Sequence, residues 1–185
     1  MIIDENFWKR RYSDLWNASS AKEEKLKDFI EKNTKAKLEP FGLGAKSTKF
    51  IAGNASKNNN EKGAPDFHVL KSNIYIEVTG PVSKPLKKTD KIWLRPDKLR
   101  YAYNQQFLKD EFFAVNYDLK DGWHIIHFTE ELVKYIKESF KTNTDYLKIS
   151  PVIRGVKENY IEIDSCTEFV HSLDYLVEYL KHIEF

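Results

Sequence analysis

The stretch GAPDFHVLKSNIYIEVTG, residues 63–80, places two short apolar segments on either side of a polar turn. Residues 65–70 and 73–79 are rich in β-branched and aromatic side chains, and the Lys, Ser and Asn between them suit a tight turn. Side chains alternate between the two faces of a strand. We therefore predict an antiparallel hairpin that carries one acid on each strand, Asp66 and Glu77.

The two acids predict chemistry as well as structure. Carboxylates a few ångströms apart repel each other unless a proton or a cation lies between them. Oxygen ligands of this kind suit Mg²⁺ or Mn²⁺, which bind through few carboxylates and keep several waters. Such an ion can stabilise the charge on a phosphodiester under attack. The simpler alternative is that Asp66 caps a turn and Glu77 is an ordinary exposed strand residue.

The rest of the chain shows helix and strand patterns in a mixed order. We predict helices over 5–19, 21–33, 97–108 and 130–140, strands over 111–119, 123–128 and 159–164, and a last helix that follows a capping-box pair, Ser165 and Glu168. An irregular strand region at 36–53 and a mobile loop at 54–63 precede the hairpin. This order predicts an α/β (α+β) fold with a central mixed β-sheet flanked by helices.

Length and composition indicate a globular protein. The 185 residues suit a single domain, with a core at about 21–140 and a C-terminal strand–helix addition at 141–185. Apolar residues make up 41% and charged residues 31%, and no apolar run is long enough to span a bilayer. The first residues lack the features of a signal peptide, so we expect a cytoplasmic protein. The single cysteine, Cys166, excludes an internal disulfide and a cysteine-based zinc cluster.

Charge is unevenly distributed along the chain. Seven basic residues and only two acids lie between Val82 and Arg100, whereas seven acids and one lysine lie between Glu158 and Phe185. A basic segment of this kind suits a polyanion, and the acidic tail would face away from it. A solvated surface is the alternative explanation of such a charge run.

Pro65-Asp66, followed eleven residues after Asp66 by Glu77-Val78-Thr79, resembles the motif of the PD-(D/E)xK nuclease superfamily, whose members share the restriction-endonuclease-like fold. The resemblance covers roughly residues 21–140. It implies that Asp66 and Glu77 bind Mg²⁺ or Mn²⁺ together with the backbone carbonyl of Val78. It also implies a glutamate on the preceding helix, for which the helical phase favours Glu23.

Thr79 departs from that family pattern, because a lysine normally stands at its position. A threonine cannot supply the positive charge that stabilises the transition state. One explanation is a lysine placed later, as in viral cap-snatching endonucleases, with Lys98 on the next helix as first choice and Lys91 before it as second. The other explanation is a relic site that binds nucleic acid without cutting it.

Further residues near the two acids are candidates for substrate contacts. The basic side chains expected to contact phosphates are Lys84, Lys87, Lys88, Arg95 and Arg100. Trp93 and Tyr101 could stack on an exposed base or pack in the core.

Three histidines are candidate functional groups as well. His68 shares a strand face with Asp66 and is either a ligand or proton carrier, or a bystander. His124 and His127 fall on opposite strand faces, which predicts structural roles.

These observations together predict a Mg²⁺- or Mn²⁺-dependent endonuclease that hydrolyses phosphodiester bonds, in DNA rather than RNA. Two alternatives remain: a catalytically inactive nucleic-acid-binding protein on the same fold, and a cap-snatching-like RNA endonuclease. The expected partners are nucleic acid and, because cutting both strands of a duplex needs two sites, a second copy of the chain. No membrane partner is expected.

Overall fold

The computed structural model describes residues 5–42, 64–79, 87, 89–106, 111–119, 122–142, 147–153 and 156–184. Within these ranges the protein belongs to the mixed α/β class, as the sequence predicted. The predicted loop at 54–63 and residues 43–53 of the predicted strand region lie outside the described residues.

Four helices and eleven strands form within the described ranges. The helices are α1 (Glu5–Asn33), α2 (Pro96–Gln106), α3 (Glu130–Thr142) and α4 (Leu173–Lys181). The strands are β1 (Leu38–Pro40), β2 (Phe67–Val69), β3 (Ile74–Thr79), β4 (Ile92–Leu94), β5 (Glu111–Leu119), β6 (Gly122–His127), β7 (Leu147–Ile149), β8 (Val152–Ile153), β9 (Val156–Lys157), β10 (Tyr160–Ile163) and β11 (Val170–His171).

The main sheet has six strands in the described part of the chain, in the order β1-β2-β3-β5-β6-β11. β3 and β5 pair in parallel, and the other neighbours are antiparallel, so the sheet is mixed as expected. The β2–β3 hairpin pairs Phe67 with Ile76 and His68 with Tyr75. A crossover through β4 and α2 separates β3 from its parallel neighbour β5, as parallel pairing requires.

One face of the main sheet is covered by α1 and α4. Leu26 and Ile30 of α1 and Leu176 and Leu180 of α4 are fully buried against this face, which presents Ile74 and other apolar side chains of the central strands. The acidic C-terminal helix therefore lies on the side of the sheet opposite to Glu77, because Ile74 and Glu77 face opposite sides of β3.

The other face, which carries Glu77, is covered by α2, α3 and a smaller sheet of order β4-β10-β7 in the described residues. Ile126 and Phe128 from the end of β6 form its core with buried residues of α2, α3, β4 and β10. Tyr75 packs against this cluster, which confirms that odd-numbered residues of β3 face it.

The N-terminal helices were predicted as two, and this prediction was wrong. The chain forms one continuous helix, because no glycine or proline interrupts it at Ser19, Ser20 and Ala21. Leu26, Phe29 and Ile30 follow the spacing of one helix face, yet Phe29 is 37% exposed whereas the other two are fully buried.

The start of the last helix was also predicted wrongly. Asp164 accepts a hydrogen bond from the Cys166 N–H and begins a turn, so Ser165 and Glu168 do not form a capping box. Val170 and His171 pair with β6 before α4 begins, and Ser172 is its N-cap residue. β10 and β11 therefore join both sheets, which integrates the C-terminal segment into the fold.

Three buried or half-buried polar groups connect β5, β6 and α4 on the face of α4. His127 contacts Glu111 Oε2 at 2.6 Å and the Tyr175 hydroxyl at 2.9 Å. The Glu111 carboxylate has a lowered pKa, first because His127 hydrogen-bonds to it. Burial and the Glu111 charge raise the pKa of Tyr179 to about 12, which keeps this neighbouring hydroxyl neutral.

None of the helices among the described residues combines the length and the apolar character that a membrane span requires.

Candidate metal centre

The β2–β3 hairpin brings Asp66 and Glu77 to the same face of the sheet. Phe67 pairs with Ile76, and one step further the antiparallel register sets Asp66 opposite Glu77. Glu77 is only 6% exposed. The carboxyls are near enough to form a hydrogen bond with each other, so they can share a proton.

Backbone contacts on two sides fix the position of Asp66. Its carbonyl accepts a hydrogen bond from the Phe41 N–H at 2.9 Å, and its Oδ2 accepts one from the Val78 N–H at 2.7 Å. Gly42 continues the pairing through the Pro65 carbonyl at 2.9 Å. A Cβ on Gly42 would clash with that carbonyl oxygen, which explains the glycine.

Lys98, from the first turns of α2, completes the cluster. Its Nζ lies 2.7 Å from Glu77 Oε2 and 2.8 Å from the Ala64 carbonyl oxygen. An ammonium has three donors, and these two contacts hold the nitrogen beside both acid-bearing strands. Thr79 is half-buried on the same face of β3 as Glu77. Lys98, distant in sequence, therefore lies beside the acid on the face that also carries this threonine.

Burial dominates the electrostatics of the two acids, and the charge of Asp66 adds to its effect at Glu77. Burial raises the pKa of Asp66, although Lys98, the Val78 N–H and the hydrogen bond with Glu77 all act in the opposite direction. Burial and then the charge of Asp66 raise the pKa of Glu77 well above its usual range, against the opposing effect of Lys98. The ionised form of each acid is therefore disfavoured in the folded chain despite the opposing charge of Lys98.

The Lys98 ammonium remains charged despite its burial. Desolvation on its own would lower the pKa of Lys98, but the charges of Glu77 and Asp66 outweigh it and raise the pKa. Arg95 lowers the pKa of both Glu77 and Lys98, so its guanidinium lies within electrostatic range of the centre. The Arg95 side chain is held by Asp97 through two hydrogen bonds of 3.1 and 2.7 Å.

The other predicted basic residues lie at different distances from the acids. Lys91 forms an ion pair with Glu162 at 3.1 Å, on the smaller sheet, so it is not the lysine beside Glu77. Lys87 is exposed, and Arg100 is exposed on α2. Lys84 and Lys88 lie outside the described residues.

Glu23 is not brought to the two acids. The buried stripe of α1 lies on the opposite face of the sheet, and no group of three or more His, Cys, Asp or Glu that could hold a metal forms within the described ranges. Val78 does reach the centre, since its N–H is bonded to Asp66.

The histidines have structural partners. His68 contacts Glu39 at 2.8 Å and the Ser72 carbonyl at 2.8 Å through its two ring nitrogens, and its ring stacks on Tyr75. His124 and His127 lie on opposite faces of β6, as strand alternation predicted, and both are buried. His127 therefore faces away from Glu77.

Sequence reasoning missed two contributors to the centre. The Ala64 carbonyl, which anchors Lys98, is a backbone acceptor and has no side-chain signature. Gly42 gave a weak signal as one of several glycines in an irregular segment, but its pairing with Pro65 depends on tertiary contact.

A shallow groove of about 420 Å³ lies elsewhere, between α2 and α3. It is lined by Tyr103, Glu130, Val133, Lys134, Lys137 and other α3 residues, and the Lys137 ammonium lies 4.4 Å from the Tyr103 ring centroid. The groove contains none of the acids of the hairpin.

The donor set fits a small divalent cation. Two adjacent carboxyls on one face, whose pKa values are raised first by burial and at Glu77 also by the charge of Asp66, favour a cation between them. Mg²⁺ typically binds through one or two carboxylates and completes its shell with water and substrate oxygens. Two acids are therefore sufficient protein ligands for such an ion.

Comparisons of the chain with protein-family models, with curated proteins and with solved structures found no match.

Proposed function

We propose that this protein is a metal-dependent nuclease that hydrolyses phosphodiester bonds, built on a restriction-endonuclease-like core. The observation that supports the proposal is the convergence of three groups, Asp66, Glu77 and Lys98, on one face of a mixed sheet. A pair of acids and one lysine are the groups that the resemblance to PD-(D/E)xK nucleases implies.

Each group has a role in this proposal. Asp66 and Glu77 hold Mg²⁺ or Mn²⁺, with the Val78 carbonyl as a further oxygen ligand. The ion would supply Lewis-acid stabilisation of the charge that builds up on the phosphodiester. Lys98 uses two donors on Glu77 and Ala64 and offers the third to a substrate oxygen, where its charge offsets the developing negative charge.

Positive groups around the centre would hold the substrate. Arg95 acts on Glu77 and Lys98 and directly precedes the N-terminus of α2, where the helix dipole also favours a phosphate. Arg100 and Lys87 extend the basic surface, and the substrate is DNA rather than RNA in this proposal. We place the activity in the cytoplasm, with a second copy of the chain wherever both strands of a duplex are cut.

A second candidate function is nucleic-acid binding without cleavage. The observation that favours it is the direct Lys98–Glu77 ion pair of 2.7 Å, since a buried pair can have a purely structural role. The two candidates differ in whether a metal binds between the acids and whether a phosphodiester is cut.

A plasmid-nicking assay tests the proposal. We expect the purified protein to relax supercoiled plasmid with Mn²⁺ or Mg²⁺ and to lose this activity in EDTA. The double variant Asp66→Ala/Glu77→Ala should be inactive, whereas Glu178→Gln, an exposed acid on α4, should match the unchanged protein. Equal nicking by the double variant would identify a contaminant and would remove the proposed site.

Metal binding should also appear as stabilisation, without any reference to activity. An ion that binds only the folded state at 100 times its Kd adds about 2.7 kcal/mol, and each kcal/mol raises the Tm of a domain of this size by roughly 2–4 °C. Because protons compete with the ion for acids whose pKa values are raised, the Mn²⁺-induced rise in Tm should be larger at pH 8 than at pH 5. An equal rise in Glu77→Gln would contradict the site.

A further inference from the structure

The outer face of the smaller sheet carries a pair of aromatic rings. Trp93 of β4 is 40% exposed although its neighbours Ile92 and Leu94 are buried in the core. The Tyr160 ring of β10 lies beside it, with centroids 5.6 Å apart and planes tilted by 38°. Large aromatic side chains are mostly buried in folded proteins, so the exposed Trp93 beside the half-buried Tyr160 calls for an explanation.

Both rings are tethered at their polar tips. The Trp93 indole N–H donates to Glu162 Oε2 at 2.8 Å, and the Tyr160 hydroxyl donates to Glu158 Oε2 at 2.6 Å. Lys91 lies 3.1 Å from the other oxygen of Glu162 and offsets its charge. These bonds fix the orientation of each ring, so a flat apolar ligand would bind with little loss of side-chain entropy.

Arg95 links the aromatic pair to the candidate metal centre. Arg95 follows Trp93 by two residues, a separation of about 7 Å along an extended chain. The charge of Arg95 in turn acts on Glu77 and Lys98. Arg95 therefore lies two residues from the aromatic pair along the chain and within electrostatic range of Glu77 and Lys98.

We propose that Trp93 and Tyr160 form a stacking platform for an unpaired base of a nucleic acid whose backbone passes Arg95 toward Asp66 and Glu77. Stacking of bases on aromatic side chains is how proteins bind single strands without reading their sequence. A base inside a duplex already has stacked neighbours on both faces and cannot use the platform. The inference rests on the proposed nuclease function and narrows its substrate to single-stranded or locally unpaired nucleic acid.

Binding measured without metal tests the platform. A labelled 12-residue oligothymidylate is titrated with protein in EDTA at low salt, and anisotropy gives the Kd. Trp93→Ala should weaken binding by roughly 5- to 150-fold, the range for loss of one stacked base, and Tyr160→Leu should also weaken it. Trp93→Phe should retain most of the affinity, and Val152→Ala, an exposed apolar residue outside the platform, should retain all of it.

The same variants should bind a duplex of equal length as the unchanged protein does, which separates stacking from general charge attraction. Unchanged affinity of Trp93→Ala for the single strand, or an equal loss for both substrates, would overturn the proposal. Because cleavage is not needed here, Trp93-dependent binding by a protein that fails the nicking assay would refute only the nuclease function. Cleavage without any Trp93 dependence would refute only the platform.

Discussion

Asp66→Asn should yield a protein that, without metal, unfolds at a higher temperature than the unchanged chain and that no longer cleaves nucleic acid. The expected gain in stability follows from the raised pKa of Asp66, which is due first to burial. A raised pKa means that the ionised carboxylate is less favourable in the folded chain than in the unfolded chain, with all its contacts included. An asparagine removes that charge and can still accept the Val78 N–H.

The gain should depend on pH in a defined direction. Below the ordinary pKa of an aspartate the carboxyl is neutral in both states, so the substitution gains little. As pH rises through that value and then through the raised folded-state pKa, the unchanged protein loses stability and the variant does not. The difference in Tm should therefore be largest near pH 8 and should disappear toward pH 3.

Cleavage should fall by more than about a hundredfold. Mutation of a residue that only hydrogen-bonds to a metal ligand already costs about 10- to 100-fold in metal affinity or activity, and Asp66 is itself a proposed ligand. Calorimetric or fluorimetric Tm measurements in EDTA test the gain in stability, and plasmid nicking in Mn²⁺ tests the loss of cleavage. Glu178→Gln is the matched control: the pKa of Glu178 is lowered by Lys181, so no gain in stability is expected. A less stable but fully active Asp66→Asn would contradict the metal centre.

Lys98→Met should have the second large effect, on both stability and rate. Loss of one partner from a buried ion pair costs about 3–5 kcal/mol, and the Lys98 side chain is only 15% exposed. At pH 5 the cost should be smaller, since Glu77, whose pKa is already well above its usual range, then holds a proton. The ammonium itself does not titrate in this window, because the pKa of Lys98 is raised.

The rate should fall by about 10²–10³-fold, the usual effect of removing one preorganised group that stabilises transition-state charge. We expect the loss in kcat rather than in KM, because the charge of Lys98 acts mainly after bond breaking begins. Single-turnover cleavage of a labelled oligonucleotide separates the two parameters. A change confined to Tm, with kcat unaltered, would show that Lys98 is structural only.

Lys91→Met is the matched control for Lys98→Met. Lys91 precedes α2 and Lys98 lies in its first turn. Lys91, however, pairs with Glu162 at the surface of the smaller sheet. Exposed pairs contribute about 1 kcal/mol or less, so Lys91→Met should retain its stability and, at saturating substrate, its single-turnover rate. The reverse pattern, with Lys91→Met inactive and Lys98→Met active, would assign the catalytic charge to the other lysine.

The shared face of Asp66 and Glu77 could be predicted from sequence because it depends on local geometry. Alternation along a strand is fixed within a few residues, and the turn after Val69 sets the hairpin register. Lys98 could be ranked above Lys91 because a helix holds a side chain more firmly than a loop. The contact itself depends on docking of α2, which no local pattern encodes.

The smaller sheet could not be predicted for the same reason. β4 pairs with β10, and Trp93 opposes Glu162, 69 residues further along the chain. Short segments such as Ile92–Leu94 become strands only when a partner is present. The division of α1 into two helices was wrong, since the serines at its middle disfavour a helix interior only slightly.

Because Lys98 lies on α2, the cluster of Asp66, Glu77 and Lys98 forms only once α2 has packed against the sheet. The hairpin alone aligns Asp66 and Glu77. The Lys98 ammonium reaches them only when α2 packs on the core through Leu99 and the fully buried Ala102. A bulkier side chain at position 102 would lift the helix and draw the ammonium away while leaving the hairpin intact. Displacement of α2 from the core would therefore inactivate the protein without unfolding it.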